Sequence, residues 1–162
     1  MANILNPQFD GDQEREGFTY RRAQVGHQAG GERLGASLFE IPPGQATFPY
    51  HQHSANEEML IVLSGRPALR TPEGWRDLDE GDVVAFPVGE RGAHQIANRS
   101  SQTVRVLIVS EMNAPEVNLY PDSGKVGPMT RPPGGHGPGD RWAFRAEESV
   151  DYWEDEPPPQ AE

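Results

Sequence analysis

Two histidines separated by a single residue, His51 and His53, are followed by Glu58 and, further along, by His94, and these four side chains could hold one metal ion. Side chains at i and i+2 of an extended strand leave the same face, so His51-Gln52-His53 aims two imidazoles into one volume. Glu58 would then open the next strand. Three neutral imidazoles and one carboxylate form a mixed nitrogen and oxygen donor set that suits a single divalent iron, manganese, nickel, cobalt or zinc ion. Four protein ligands on a six-coordinate ion leave two positions for water, dioxygen or a chelating small molecule.

The elements that must position these residues read as short strands. Eighteen glycines and sixteen prolines punctuate 162 residues, and the runs between them are rich in Val, Ile and Leu. Residues 18–25 and 34–41 read as two strands joined by a Gly-rich loop, the second stopped by Pro42-Pro43-Gly44. In the next strand Glu58, Leu60 and Val62 face one way and Met59, Ile61 and Leu63 the other, so both faces are apolar. Such a strand needs cover from the N-terminal strands or from a second subunit, and a homodimer is expected. A hairpin turning near Pro72-Glu73-Gly74, a strand ending at Pro87, and two more on either side of Arg99-Ser100-Ser101 complete the series. Regularly spaced strands without intervening helices indicate an all-β sandwich or closed barrel.

The chain divides into a polar arm over residues 1–16, a barrel domain over 17–120, and an extension over 121–162 with a Gly/Pro-rich loop and an acidic tail. Aromatic residues in the extension are placed to anchor it to the barrel. His27 and His136 lie in Gly-rich loops without a partner at ligand spacing and read as solvated side chains. The His-x-His pair occurs once, which excludes a duplicated two-barrel architecture. With 25 acidic against 14 basic residues the formal charge is −11, so nucleic acid is not an expected partner. No apolar stretch approaches the ~20 residues of a membrane span, and the start lacks a secretory pattern, so a cytoplasmic protein off the membrane is expected. Without cysteine there are no disulfides, thiolate ligands or cysteine nucleophiles.

Gly44, His51, His53, Glu58 and Gly65 follow the order G-x₆-H-x-H-x₄-E-x₆-G, which resembles the first motif of the cupin superfamily with one extra residue in the first gap. Gly81, Pro87, Gly89, His94 and Asn98 read G-x₅-P-x-G-x₄-H-x₃-N, similar to the second motif with two extra residues before the histidine. The resemblance covers residues 44–98 and implies a small single-domain cupin. It implies a jelly-roll, or double-stranded β-helix, barrel that binds one metal through His51, His53, Glu58 and His94. The same spacings favour Glu58 over Glu57 as the ligand. The longer loop from Glu90 to Ala93 is expected to alter the pocket rim, where Arg91 reads as an exposed arginine, with a fork for a substrate carboxylate as the alternative. Phe48, Phe86 and Tyr50 are expected to pack the barrel.

For the activity, oxygenation of a small oxygen-chelating organic molecule is the first reaction to test. A non-catalytic ligand-sensing barrel and a metal-dependent isomerase or hydrolase are the alternatives. A sugar-phosphate substrate is disfavoured, because it would call for a more basic rim.

Overall fold

The computed structural model describes residues 1–134 and 138–159; His136 and the end of the expected tail, 160–162, lie outside the described residues. Strands β1 (Gly11–Gln13), β2 (Tyr20–Ala23), β3 (Leu34–Ile41), β5 (Glu58–Ser64), β8 (Val83–Phe86) and β10 (Val104–Glu111) form an antiparallel sheet in the order β1-β2-β3-β10-β5-β8. A second layer contains β4 (Gln52–His53), β11 (Glu116–Tyr120), β12 (Lys125–Met129) and β13 (Phe144–Arg145), ordered β13-β12-β11-β4. Its other part is β6 (Ala68–Thr71), β7 (Gly74–Asp77) and β9 (Gln95–Ala97), ordered β7-β6-β9. The chain before β4 joins the two parts through bridges at Ala46↔Ala97 and His51↔His94. The architecture is the expected all-β jelly roll. Among the described residues no helix is long and apolar enough to cross a membrane.

Alternation decides which side chains fill the barrel. In β10, Val104, Val106, Ile108 and Ser110 are buried while the residues between them are not. They meet Leu60 and Val62 of β5, Phe39 and Ile41 of β3, Leu69 of β6 and Ile96 of β9 in one core. Each such side chain contributes roughly 1.5–3 kcal/mol when fully buried, so the core offers a rigid frame for polar groups at its end.

The doubly apolar β5 is covered in part by its own chain. Leu63 and Leu107 pack against a cluster of Ala23, Val25 and Leu38 that also holds Ala2 and Phe9. The N-terminal arm is therefore docked, and β1 pairs with β2 across Gly11↔Arg22 to Gln13↔Tyr20. Met59 and Val83 remain 39% and 58% exposed on the same sheet, leaving a smaller apolar patch than the sequence suggested. The Gly-rich loop expected between β2 and β3 contains one helical turn, α1 (Val25–Gln28), which buries Val25. The expected anchoring aromatics behave differently from one another. Phe144 pairs with Val126 at the sheet edge, but Tyr152 and Trp153 are largely exposed and touch each other instead of the barrel.

Candidate metal centre and its cavity

Strand register brings the polar residues to one end of the core. Glu58 lies opposite Ser110 of β10 and Phe86 of β8, and shares the inward face of β5 with buried Leu60 and Val62. Glu57 points out, its backbone N–H donating to the Glu111 carboxylate at 3.1 Å. His53 is paired with Asn118 on β11, while His51 and His94 exchange backbone hydrogen bonds across their bridge. The imidazole centroids of His51 lie 5.0 Å from those of His53 and 4.7 Å from those of His94. The Glu58 Oε2 atom is 3.3 Å from Nε2 of both His53 and His94. One donor atom each from His51, His53 and Glu58 falls within a span of 4.8 Å, a grouping that could hold a metal ion.

Backbone carbonyls preset two of the rings. His51 Nδ1 donates to Pro49 O at 2.8 Å and His94 Nδ1 to Gly92 O at 2.9 Å. A carbonyl only accepts, so in the neutral form of each ring Nδ1 carries the proton and Nε2 has its lone pair for a ligand. The second carbonyl comes from the loop with the two extra residues, a 3₁₀ turn over Glu90–Gly92. A side chain at Gly92 would place Cβ 1.8 Å from Pro87 O, so only glycine fits. Residues 90–93 are not in the lining of the two cavities that reach His51, and the loop bears on the cluster through the Gly92 carbonyl. Arg91 is exposed there, as read from the sequence.

His53 is held differently. Its Nδ1 is 3.5 Å from Glu116 Oε2, and both its ring nitrogens are buried without a partner in hydrogen-bonding geometry. Glu116 is fully buried, and it accepts from the backbone N–H of Ser54 at 2.9 Å and from the Asn56 amide. Burial disfavours charge on His53, but the Glu116 and Glu58 carboxylates outweigh it and raise its pKa to about 9. His51 is pushed down to about 3, mainly by burial and then by the neighbouring imidazoles. The Glu58 carboxyl is buried, yet hydrogen bonding and charge from His53 and His94 hold it well below the usual carboxylate range. For Glu116 burial is likewise overcome, by His53, Asn56 and the Ser54 amide, and its pKa falls to about 2. A buried carboxylate among imidazoles with free lone pairs, and an imidazole whose nitrogens lack geometric partners, fit a divalent cation of intermediate softness.

Aromatic rings dry the cluster. Phe86 stacks on His94 with centroids 3.8 Å apart and planes 10° apart, and Phe48 meets His51 edge-on at 6.0 Å. Tyr50 faces away from the cluster and is buried under the Arg70 guanidinium, 4.1 Å above its ring. Sequence reasoning missed Glu116, Asn56 and Asn118. In β11, Glu116 and Asn118 stand at i and i+2 and both are buried, a pattern of inward polar residues that marks a site on a strand.

Two cavities reach His51. One of about 400 Å³ also touches Glu58, Ser37, Ser110 and His27. The other, about 590 Å³, is lined by Arg15, Arg22, Lys125, Arg131 and Arg141, with Tyr20, Tyr120 and Asn118 and, among the described residues, without a carboxylate. The sequence expectation of a rim that is not basic is overturned here. β1, β2, β12 and the chain leading to β13 fold the scattered cations onto one wall.

Comparison with known proteins bears on the same features. Residues 37–110 match the family model described as a cupin domain. A protein provisionally assigned as a sugar phosphate isomerase from Acidithiobacillus ferrooxidans superposes with a TM-score of 0.72 at 26% identity, covering 83% of this chain and 81% of that one. A cupin described as a sugar phosphate isomerase from Silicibacter pomeroyi gives 0.76 at 20% identity, covering 92% and 94%. A polyketide cyclase from Streptomyces resistomycificus gives 0.57 at 22% identity, covering 68% and 78%. No curated protein sequence gives a significant match. The matched domain spans the strands that bring His51, His53 and Glu58 together at the end of a jelly-roll core, and residues 37–110 form a cupin domain.

Proposed function

We propose that His51, His53, Glu58 and His94 hold one divalent metal ion, and that the protein isomerises a small α-hydroxycarbonyl compound bound in the adjoining cavity. The observation that carries this reading is the pair of buried His53 nitrogens that lie near the Glu58 and Glu116 carboxylates without hydrogen-bonding geometry to either, at a cluster that opens on a cavity through His51. A divalent ion held there would act as a Lewis acid on a carbonyl or hydroxyl oxygen of the substrate. His51 and His94 contribute Nε2 in a fixed tautomer, and Glu58 contributes negative charge. Tyr20 lines the cavity; burial raises its pKa, against the opposing charges of Arg22 and Arg141, so the phenol stays protonated and can donate to a substrate oxygen. Asn118 lines it too, and its buried Oδ1 has no partner and can accept from a substrate hydroxyl.

Isomerisation is favoured over oxygenation on two grounds. The cation-lined wall suits an anionic substrate, and the Acidithiobacillus ferrooxidans protein at 26% identity carries an isomerase description. The reaction also balances without an oxidant, since one proton leaves the carbinol carbon and one is delivered to the former carbonyl carbon, while the carbinol O–H proton is lost and the former carbonyl oxygen gains one. The test is to load the protein anaerobically with iron, manganese or zinc and to follow aldose–ketose interconversion by proton NMR, including solvent deuterium incorporation. Interconversion that is lost in His53→Ala supports the reading. Oxygen uptake without interconversion would return the site to oxygenation, and substrate-induced stabilisation without turnover would make the protein a binding barrel.

A further inference from the structure

Several cations on this acidic chain are paired with carboxylates. Arg66 and Asp79 approach to 2.8 Å, Arg70 and Asp122 to 2.6 Å, and Arg105 and Glu40 to 2.6 Å; Arg21 also reaches Glu40, at 3.5 Å. On the wall of the larger cavity, among the described residues, Arg15, Arg22, Lys125 and Arg141 have no carboxylate in ion-pair contact. Arg22 Nε is buried without a hydrogen-bond partner, and Arg141 reaches only the Tyr120 hydroxyl, at 3.4 Å. Lys125, the sole lysine of the chain, lies 5.5 Å from the Tyr120 ring centroid. In a protein of net charge −11, these four cations line one cavity without a carboxylate in ion-pair contact among the described residues.

We propose that this wall is a binding site for the phosphate group of a phosphomonoester, and that Arg22 and Arg141 are its principal ligands. The substrate class follows from charge and shape. A phosphomonoester carries about −1.5 to −2 at neutral pH and three acceptor oxygens, which matches several convergent donors better than a single carboxylate does. Guanidinium forks bind such oxygens in pairs of parallel hydrogen bonds. The cavity volume of about 590 Å³ is that of a site for a small metabolite, and carboxylate-free walls focus the field on it. Asn118, itself 6% exposed and with Oδ1 unpartnered, stands on the same wall and can take a hydroxyl of the carbon chain between the phosphate and His51. The inference rests on the proposed isomerase reading only for the identity of the other end of the molecule; the anion site stands on its own residues.

The test uses inorganic phosphate as the probe and the metal-free full chain as the protein, with binding followed by phosphorus NMR and by the melting temperature. Saturable phosphate binding is expected, with acetate at least tenfold weaker. Arg22→Gln and Arg141→Gln are each expected to weaken phosphate by about tenfold or more, the scale of one charged hydrogen bond. Arg22→Lys should keep part of the affinity, whereas Arg91→Gln, outside the cavity, should change nothing. His53→Ala should bind phosphate as the unsubstituted chain does, which separates this site from the metal centre. Absence of saturable phosphate binding to the unsubstituted chain overturns the proposal and leaves the isomerase reading intact, and so does equal binding of acetate. Retention of full affinity by the folded Arg22→Gln/Arg141→Gln double variant overturns it as well. Phosphate binding without metal binding would instead overturn the isomerase reading and leave the anion site standing.

Discussion

The metal cluster and the cation wall share one cavity but are built in opposite ways. His51, His53, Glu58 and His94 fall within the stretch matched to the cupin domain, 37–110, where the His51↔His94 bridge and the start of β5 bring them together. Arg15, Arg22, Lys125, Arg131 and Arg141 all lie outside that stretch, on the N- and C-terminal segments that wrap the barrel. The barrel thus supplies the candidate metal site, and the wrapping segments supply the cations of the adjoining cavity. Two regions with such different origins should fail independently, and that is the property to test.

The largest effect is expected from the cluster itself. His53→Ala or Glu58→Ala should lower metal affinity by more than the ~10–100-fold that loss of an outer hydrogen-bonding partner costs, measured by competition with a chelator. His94→Ala should do the same if it is the fourth ligand. Phosphate binding at the wall should persist in all three variants; its loss would show that the two regions are one unit.

Acidity sharpens the comparison. In the metal-free protein His51 is neutral over the working range, Glu58 and Glu116 are ionised, and His53 with its pKa raised to about 9 holds a proton that a metal must displace. Metal affinity should therefore climb by about tenfold per pH unit from pH 7 towards pH 9 and level off above it, as competition titrations at several pH values would reveal. The linkage to folding has the opposite sign. The raised His53 pKa stabilises the metal-free fold fully below about 6.5 and is lost as pH rises through about 9, so the melting temperature should decline over that window. Flat metal affinity between pH 7 and 9 would refute the charged His53.

Glu116→Gln is a finer probe, since it leaves every proposed ligand in place. Metal affinity should drop by ~10–100-fold and the alkaline rise in affinity should shift towards neutral pH, because the remaining carboxylate is Glu58 alone. The wall should respond to salt instead. Raising ionic strength from 0.05 to 0.5 M should weaken phosphate several-fold and hardly touch metal occupancy, because partly exposed cations are screened and buried donors are not. The smallest effect on either region is expected at the exposed patch of Met59 and Val83, where a second subunit is expected to dock. Light scattering should report a dimer that Met59→Glu converts to a monomer with its metal still bound; a monomeric parent chain would remove that interface.

The contrast also explains what could be read in advance. The pairs His51/His53 and Leu60/Val62 obey strand alternation, which acts over two residues, so the ligand cluster and the inward face of β5 were legible. Glu116 was not, because its role depends on β11 lying next to β4, a pairing between residues more than sixty positions apart. Arg22 and Arg141 meet only after β2 and the chain beyond β12 reach the same cavity, so a count of net charge concealed a basic wall and favoured oxygenation over a phosphate-bearing substrate. The docking of the N-terminal arm through Ala2 and Phe9 was equally out of reach of local pattern. Tyr152 and Trp153, read as anchors from composition, remain largely exposed.

Two of the imidazoles owe their proton placement to main-chain oxygens, at Pro49 and Gly92, while the third has the Glu116 carboxylate 3.5 Å from its Nδ1. A point mutation cannot delete a carbonyl. Selection acting through side-chain replacement therefore finds two rings that are buffered and one that is adjustable: changing residue 116 alters the basicity of His53 while His51 and His94 keep their tautomers. The centre carries a single built-in dial, and an engineer seeking to change which metal the barrel prefers would turn it there first.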